Sequence, residues 1–129
     1  WKHKGHCSYV HGYGRYVRLS FEASELDECG WVMDFGDLRD VKRWIEGEWD
    51  HKVLIAADDP LLSQLQKLES HGGIMLNVLP DGYYPGIEES CRYLYDKLNP
   101  IIKKKTNNRV EITRVEIWEH ENNSGEYVK

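Results

Sequence analysis

The segment Cys7-Ser8-Tyr9-Val10-His11-Gly12-Tyr13 places a thiol, an imidazole and a phenol close together in the chain. Residues two apart on a strand share a face, so a strand here would point His11 and Tyr13 the same way. An imidazole is a common metal ligand, and a cysteine can act as a nucleophile or base. The segment therefore predicts a site in which Cys7 leans over a metal-binding His11.

The residues after this segment alternate between apolar and polar side chains, as expected for a half-buried strand. The apolar set is Val17, Leu19, Phe21 and Ala23. We expect a strand over residues 13–23, with His11 on its buried side at the point where the strand begins.

The remainder of the chain predicts a single α+β domain over residues 1–129, with two layers. Helical spacing of apolar residues indicates helices over 35–49, from Asp59-Pro60 to about residue 71, and from Pro85 onward. Asn99-Pro100 is expected to kink or end the last helix. Extended patterns indicate strands over 74–79, 109–120 and 126–128, and the residues after Asp50-His51 are interpreted as a loop.

The predicted strand over 109–120 changes phase near Thr113-Arg114, which indicates a β-bulge. After this bulge, Glu119 shares the inward face with Val115 and Ile117. A carboxylate buried without partners is unfavourable. Glu119 is therefore either a functional residue or a strand-end residue that reaches water.

Composition argues against several classes of protein. The net charge of −5 disfavours a general nucleic-acid binder, and no apolar run approaches the roughly 18 residues of a membrane helix. No signal peptide is visible after Trp1. The odd number of cysteines, Cys7, Cys29 and Cys91, is typical of a reducing compartment, so we expect a cytoplasmic protein.

Several segments, in order, resemble motifs of the 6-pyruvoyl-tetrahydropterin synthase / 6-carboxytetrahydropterin synthase family. They are Cys7-Ser8-Tyr9-Val10-His11-Gly12, Gly30-Trp31-Val32-Met33-Asp34-Phe35-Gly36-Asp37-Leu38, Asp50-His51-Lys52-Val53-Leu54, Asp58-Asp59-Pro60, Val78-Leu79-Pro80 and Trp118-Glu119. The resemblance implies the tunnelling fold. In that fold a ββααββ subunit carries helices on one face of an antiparallel sheet, and subunits close into an oligomeric barrel that stacks as a homohexamer.

The resemblance also implies a substrate and a set of roles. The substrate would be a pterin triphosphate, 7,8-dihydroneopterin triphosphate, from which triphosphate is eliminated. Glu119 matches the glutamate that anchors the pterin ring, and Cys7 with Asp50 and His51 matches the catalytic cysteine and its Asp-His pair. A zinc ion held by three histidines would polarise the substrate, and His11 matches one of them.

The spacing between Cys7 and His11 resembles the 6-carboxytetrahydropterin synthase branch, which serves 7-deazapurine (queuosine-type) biosynthesis. Three positions depart from the family pattern. Tyr13 stands where the third zinc histidine is expected, and tyrosine is a poor zinc ligand. The family's first strand, which carries another zinc histidine, has no counterpart after Trp1 and is either missing from this sequence or lost. Gly86 replaces a threonine beside the pterin, leaving a backbone N–H at a helix start.

Three hypotheses follow from these observations. The first is an active zinc-dependent lyase of the 6-carboxytetrahydropterin synthase type. The second is a pterin-binding relative whose zinc site has degraded, as Tyr13 indicates. The third is a related enzyme, either a 6-pyruvoyl-tetrahydropterin synthase or an aldolase-like enzyme acting on dihydroneopterin.

Overall fold

Five strands and three α-helices make up the computed structural model, which describes residues 1–129. In chain order they are β1 (Tyr16–Ala23), α1 (Arg39–Trp49), β2 (Val53–Ala56), α2 (Leu62–Ser70), β3 (Leu76–Leu79), α3 (Ile87–Lys105), β4 (Val110–Trp118) and β5 (Ser124–Val128). Two 3₁₀ turns, His6–Ser8 and Phe35–Leu38, precede β1 and α1. None of the helices combines the length and apolar character that crossing a membrane requires.

Two separate sheets are present. The larger is antiparallel, in the order β1-β4-β5, and the smaller is a parallel pair of β2 and β3. This confirms the predicted α+β class, with α3 packed against the antiparallel sheet. One strand precedes the helices, whereas the ββααββ plan has two.

The core lies between α3 and the antiparallel sheet. The helix contributes residues at intervals of three and four, which share one face of a helix. These are Cys91, Leu94, Tyr95, Leu98 and Ile102. Alternate residues of β4 meet them, and the apolar face predicted for β1 packs against the same cluster. Cys91 is fully buried within this cluster.

The predicted bulge lies in β4. Ser20 pairs with Arg114 whereas Phe21 pairs with Ile112, so Thr113 is the extra residue. The buried side chain of Asn99 compensates locally: its Oδ1 accepts a hydrogen bond of 2.9 Å from the Ile112 backbone N–H. A polar residue of α3 thus satisfies a buried donor of β4.

Three expectations were wrong in detail. The first strand begins at Tyr16 instead of residue 13, because the preceding residues have no strand partner. The last helix does not end at Asn99-Pro100 but continues to Lys105; Pro100 lies on its exposed side. The segment after Asp50-His51 is not only a loop, since Val53–Ala56 forms β2 through pairing with β3.

Candidate functional site

A cleft of about 1320 Å³ lies where the N-terminal segment, the end of α1, the start of α3 and the end of β4 converge. Every residue that the sequence singled out as catalytic, substrate-binding or metal-binding lines it. They are Cys7, His11, Asp50, His51, Gly86 and Glu119. Segments far apart in the sequence are thus brought to one place by the fold.

Cys7 is presented by a 3₁₀ turn and not by a strand. Ser8 N–H donates to the Gly5 carbonyl over 3.1 Å and Tyr9 N–H donates to the His6 carbonyl over 3.0 Å, which closes the turn around the cysteine. The thiol side chain is exposed. An exposed cysteine in a cleft is accessible to a substrate, whereas the buried Cys91 is not.

Asp50 and His51 follow α1 directly and contact each other. His51 Nδ1 lies 2.9 Å from Asp50 Oδ1, and the His51 side chain is 91% exposed. A carboxylate at this distance can orient an imidazole by accepting a hydrogen bond from its Nδ1–H. His51 also has a φ of 57°, in the left-handed region that side-chain-bearing residues rarely adopt.

Glu119 lies one residue beyond β4, and its backbone N–H donates to the Asn123 carbonyl over 2.9 Å. Its half-buried side chain lines the cleft, and its place just past the end of β4 agrees with the strand-end alternative. Gly86 is the residue that precedes α3, and no side chain caps this helix. Backbone N–H groups at the start of α3 therefore remain available to acceptors in the cleft.

The expected metal site is incomplete in this chain. His11 is exposed, not buried as predicted from a strand, because its segment is not part of the sheet. The ring of Tyr13 contacts those of His11 and His120 in tilted arrangements, with ring centroids 5.8 Å and 5.9 Å away. No group of three or more His, Cys, Asp or Glu side chains is arranged to hold a metal ion. The donors of residues 1–129 therefore do not fit a three-histidine zinc site.

Arg15 is a cleft residue that the sequence analysis did not identify. Its guanidinium donates to Ser90 Oγ over 2.8 Å, to the Pro85 carbonyl over 2.7 Å and to the Tyr13 hydroxyl over 3.1 Å. The spacing of His11, Tyr13 and Arg15 was the available signal, since alternate residues of an extended segment share a side.

A second cation, Lys2, lies at the rim of the cleft. Its ammonium donates to the Tyr84 hydroxyl over 2.6 Å, and Tyr84 in turn contacts Asp58. This hydrogen bond, together with the nearby Asp58 carboxylate, holds the pKa of Lys2 above its ordinary value. The N-terminal segment is thereby attached to the loop that precedes α3.

Comparisons with known proteins show which family and fold the chain resembles. A family model described as 6-pyruvoyl tetrahydropterin synthase matches residues 1–129. A 6-carboxy-5,6,7,8-tetrahydropterin synthase from Rickettsia bellii is 28% identical over 121 residues, which cover 93% of this chain and 83% of that protein. A synthase of the same name from Aquifex aeolicus is 25% identical over 122 residues, covering 94% and 75% of the two chains.

A solved structure has the same fold. The crystal structure of an uncharacterized protein from Wolinella succinogenes superposes with a TM-score of 0.78 at 23% sequence identity. The match covers 95% of this chain and 81% of that one. This likeness concerns the fold alone.

Proposed function

The chain belongs to the 6-pyruvoyl tetrahydropterin synthase family, and we propose that it is a lyase of the 6-carboxytetrahydropterin synthase type. In this proposal it converts 7,8-dihydroneopterin triphosphate with loss of triphosphate, as a step toward 7-deazapurines of the queuosine type. The observation that carries the proposal is the convergence of Cys7, the Asp50–His51 pair and Glu119 in one cleft. The names of the relatives from Rickettsia bellii and Aquifex aeolicus favour the carboxy branch.

Glu119 has the role of anchoring the pterin. A pterin ring presents an amino group and a ring N–H on the same edge, and one carboxylate can accept hydrogen bonds from both. The Glu119 carboxylate has no hydrogen-bond partner within the chain, so both of its oxygens are free to accept. Backbone N–H groups after Gly86 can bond acceptor atoms of the same ligand.

Cys7, Asp50 and His51 have the role of moving protons on the substrate side chain. A thiolate is a competent base and nucleophile, and an imidazole can carry the proton that it releases. In this proposal Asp50 orients His51 through their 2.9 Å contact. Elimination of triphosphate needs a proton removed from a carbon of the side chain, which this group of residues is suited to perform.

Zinc remains a prediction, with His11 as the one ligand of this chain that matches the family pattern. The chemistry above is assigned to protein side chains and includes no metal step, because the donors described do not complete a site.

The exposure of His51 and Cys7 favours a cleft that a neighbouring copy covers, which suits the expected homohexamer.

A second candidate function is pterin binding without turnover. Tyr13, which stands at an expected ligand position and contacts Arg15, favours it. Elemental analysis of the purified protein separates the two. Near-stoichiometric zinc in the parent supports the lyase, whereas zinc bound only by a Tyr13→His variant supports a degraded site.

The direct test is to incubate the protein with 7,8-dihydroneopterin triphosphate and to identify the products by mass spectrometry. We expect consumption of one water, release of tripolyphosphate and of the two outer side-chain carbons as acetaldehyde, and formation of 6-carboxytetrahydropterin. A 6-pyruvoyl product would identify the other branch of the family, and a 6-hydroxymethyl product would identify an aldolase-like enzyme. The product therefore decides among the enzyme hypotheses.

Matched cysteine variants show whether the assigned cleft performs the reaction. Cys7→Ala is expected to lower turnover by about 100-fold or more, the range typical of losing a proton-transfer group. Cys29→Ala, which removes an exposed thiol outside the cleft, should retain parental turnover. Unchanged turnover in Cys7→Ala would remove this residue from the mechanism.

A further inference from the structure

Arg15 is a half-buried cation held in a fixed position inside the cleft. Its three hydrogen bonds go to Ser90, Pro85 and Tyr13, so both terminal nitrogens of the guanidinium, Nη1 and Nη2, are held in place. The rings of Tyr13 and Trp49 flank it, each with its centroid 5.3 Å from Arg15 Cζ. Such contacts with aromatic rings favour a cation and limit its movement.

The charge of Arg15 has no carboxylate partner. All three acceptors that it contacts are neutral oxygens, and it forms no ion pair within 4.0 Å. A guanidinium has five N–H donors, so Nε–H and one Nη1–H remain without an acceptor. A half-buried cation with spare donors is stabilised when an anionic oxygen group enters beside it.

The hydrogen bond between Arg15 and Tyr13 argues against a metal ion bound at Tyr13. The Tyr13 hydroxyl oxygen accepts a hydrogen bond of 3.1 Å from Arg15 Nη2. A zinc ion bound to that oxygen would lie close to the guanidinium, and two cations at such a separation repel each other strongly in a partly buried site. The position that the family pattern assigns to a metal ligand therefore lies next to a protein cation in this chain.

We propose that Arg15 is the anion-binding residue of the cleft and contacts a phosphate or carboxylate group of the pterin ligand. This inference rests on the proposed function for the identity of the ligand as a pterin. The selectivity of a fixed guanidinium for anionic oxygen groups is tested by ligand binding, which needs no turnover.

The test compares ligands that differ in one anionic group. Pterin-6-carboxylate, unsubstituted pterin and inorganic tripolyphosphate are titrated into the parent, Arg15→Met, Arg15→Lys and the control Arg43→Met. Arg43 is an exposed residue of α1 outside the cleft. Fluorescence reports the two pterins, calorimetry reports tripolyphosphate, and circular-dichroism melting confirms that each variant folds.

We expect Arg15→Met to lower the binding affinity for at least one anionic ligand by about 10- to 100-fold, the loss typical of removing a hydrogen bond to a charged group. Binding of unsubstituted pterin should change by less than about twofold, Arg15→Lys should retain part of the affinity, and Arg43→Met should match the parent. The ligand that loses affinity identifies the group: tripolyphosphate indicates the phosphate chain, and pterin-6-carboxylate indicates a carboxylate.

Equal weakening of all three ligands would assign Arg15 a structural role, and unchanged affinities, or no binding of either anion to the parent, would overturn the proposal. The result is independent of the lyase assay. If Arg15 selects anions but no triphosphate is released, the anion-binding role of Arg15 stands and the lyase activity is rejected. If the protein turns over its substrate but Arg15 selects no anion, the lyase activity stands and the role of Arg15 is rejected.

Discussion

His51 combines a reactive side chain with an unusual backbone. The other non-glycine residues with positive φ are Asn107 and Asn108, a residue type that tolerates this region. For histidine the left-handed conformation is unfavourable by about 1–2 kcal/mol, and the 91% exposed side chain gains little packing in return. Strain of this kind is found at functional sites, where it holds a side chain in a working position.

Replacement of His51 by glycine should separate stability from activity. Glycine adopts a φ of 57° without strain but increases the entropy of the unfolded chain. We therefore expect the free energy of unfolding of His51→Gly to stay within about 1 kcal/mol of the parent, while turnover of 7,8-dihydroneopterin triphosphate is lost. Urea unfolding and the product assay measure the two effects.

His71 provides the matched control. It is also exposed and follows a helix, but its φ is −91° and it lies outside the cleft. His71→Gly should lower stability by up to about 1 kcal/mol and leave turnover unchanged. Retained turnover in His51→Gly would exclude His51 from catalysis.

The three thiols should differ sharply in reactivity. Burial raises the pKa of the Cys91 thiol from 9.0 to about 11, and the thiol contacts the Gly125 carbonyl over 3.2 Å. Cys7 and Cys29 are exposed. In native protein a thiol reagent should therefore label Cys7 and Cys29 quickly and Cys91 only after unfolding.

The same shift predicts a pH effect. Between pH 9.0 and about 11 the unfolded chain releases a Cys91 proton that the folded chain retains, so stability should fall over that interval. Denaturant melts of the parent and Cys91→Ala at several pH values measure it. An equal alkaline loss in both proteins, or fast labelling of Cys91 in native protein, would contradict this account.

At the scale of elements, β5 and α3 approach closely at Gly125. A β-carbon on this residue would lie 2.3 Å from Cγ2 of Ile87 and 3.3 Å from its Cβ. Ile87 is the first residue of α3, so this contact determines how near Gly86 and the start of the helix lie to the sheet. A glycine here is required by space, since its backbone does not have a positive φ.

Gly125→Ala should therefore destabilise the protein by about 1–3 kcal/mol, the range for overpacking, and weaken pterin binding through displacement of the helix start. Gly47→Ala is the control. Gly47 lies inside α1, where an added β-carbon would have no neighbouring atom within 4 Å, and alanine should stabilise the helix by up to about 1 kcal/mol. Thermal melts of both variants measure the difference, and a neutral Gly125→Ala would show that the helix start adjusts freely.

Local patterns predicted the elements that carry their own periodicity. The apolar stripe of α3 and the bulge near Thr113 both follow from residue spacing. Elements that depend on distant partners were missed. Val53–Ala56 becomes β2 only because β3 pairs with it, and the residues before Tyr16 are excluded from β1 because no strand reaches them.

The residues of the candidate site were likewise predicted from the sequence only in part. Motif resemblance identified Cys7, Asp50, His51 and Glu119, and the fold brings them to one cleft. Arg15 was not identified, because its importance arises from acceptors on α3 and the preceding loop, some 70 residues or more along the chain. The spacing of Arg15 from Tyr13 was a local signal for its side of the segment, but contacts of this range cannot be read from local sequence.

At the scale of the whole molecule, the antiparallel sheet is open at both sides. β1 and β5 each pair with β4 alone, so each has a free edge of backbone N–H and C=O groups. Unpaired edges favour association with another sheet. Phe35, the first residue of the 3₁₀ turn before α1, is 85% exposed and is the most exposed of the large apolar side chains, so it is the position chosen to test for an interface.

These features predict that the protein is an oligomer in solution. Light scattering coupled to size exclusion should give six times the mass of one chain, the assembly implied by the family resemblance. If Phe35 lies at an interface, Phe35→Glu should yield smaller species, because a carboxylate would be buried there without a partner. Gln66→Glu, an exposed change on α2, should leave the mass unchanged.

Because association couples to folding, the Tm of the parent should also rise with protein concentration. A monomer with a concentration-independent Tm would mean that the strand edges remain open, and that the cleft functions without a neighbouring copy.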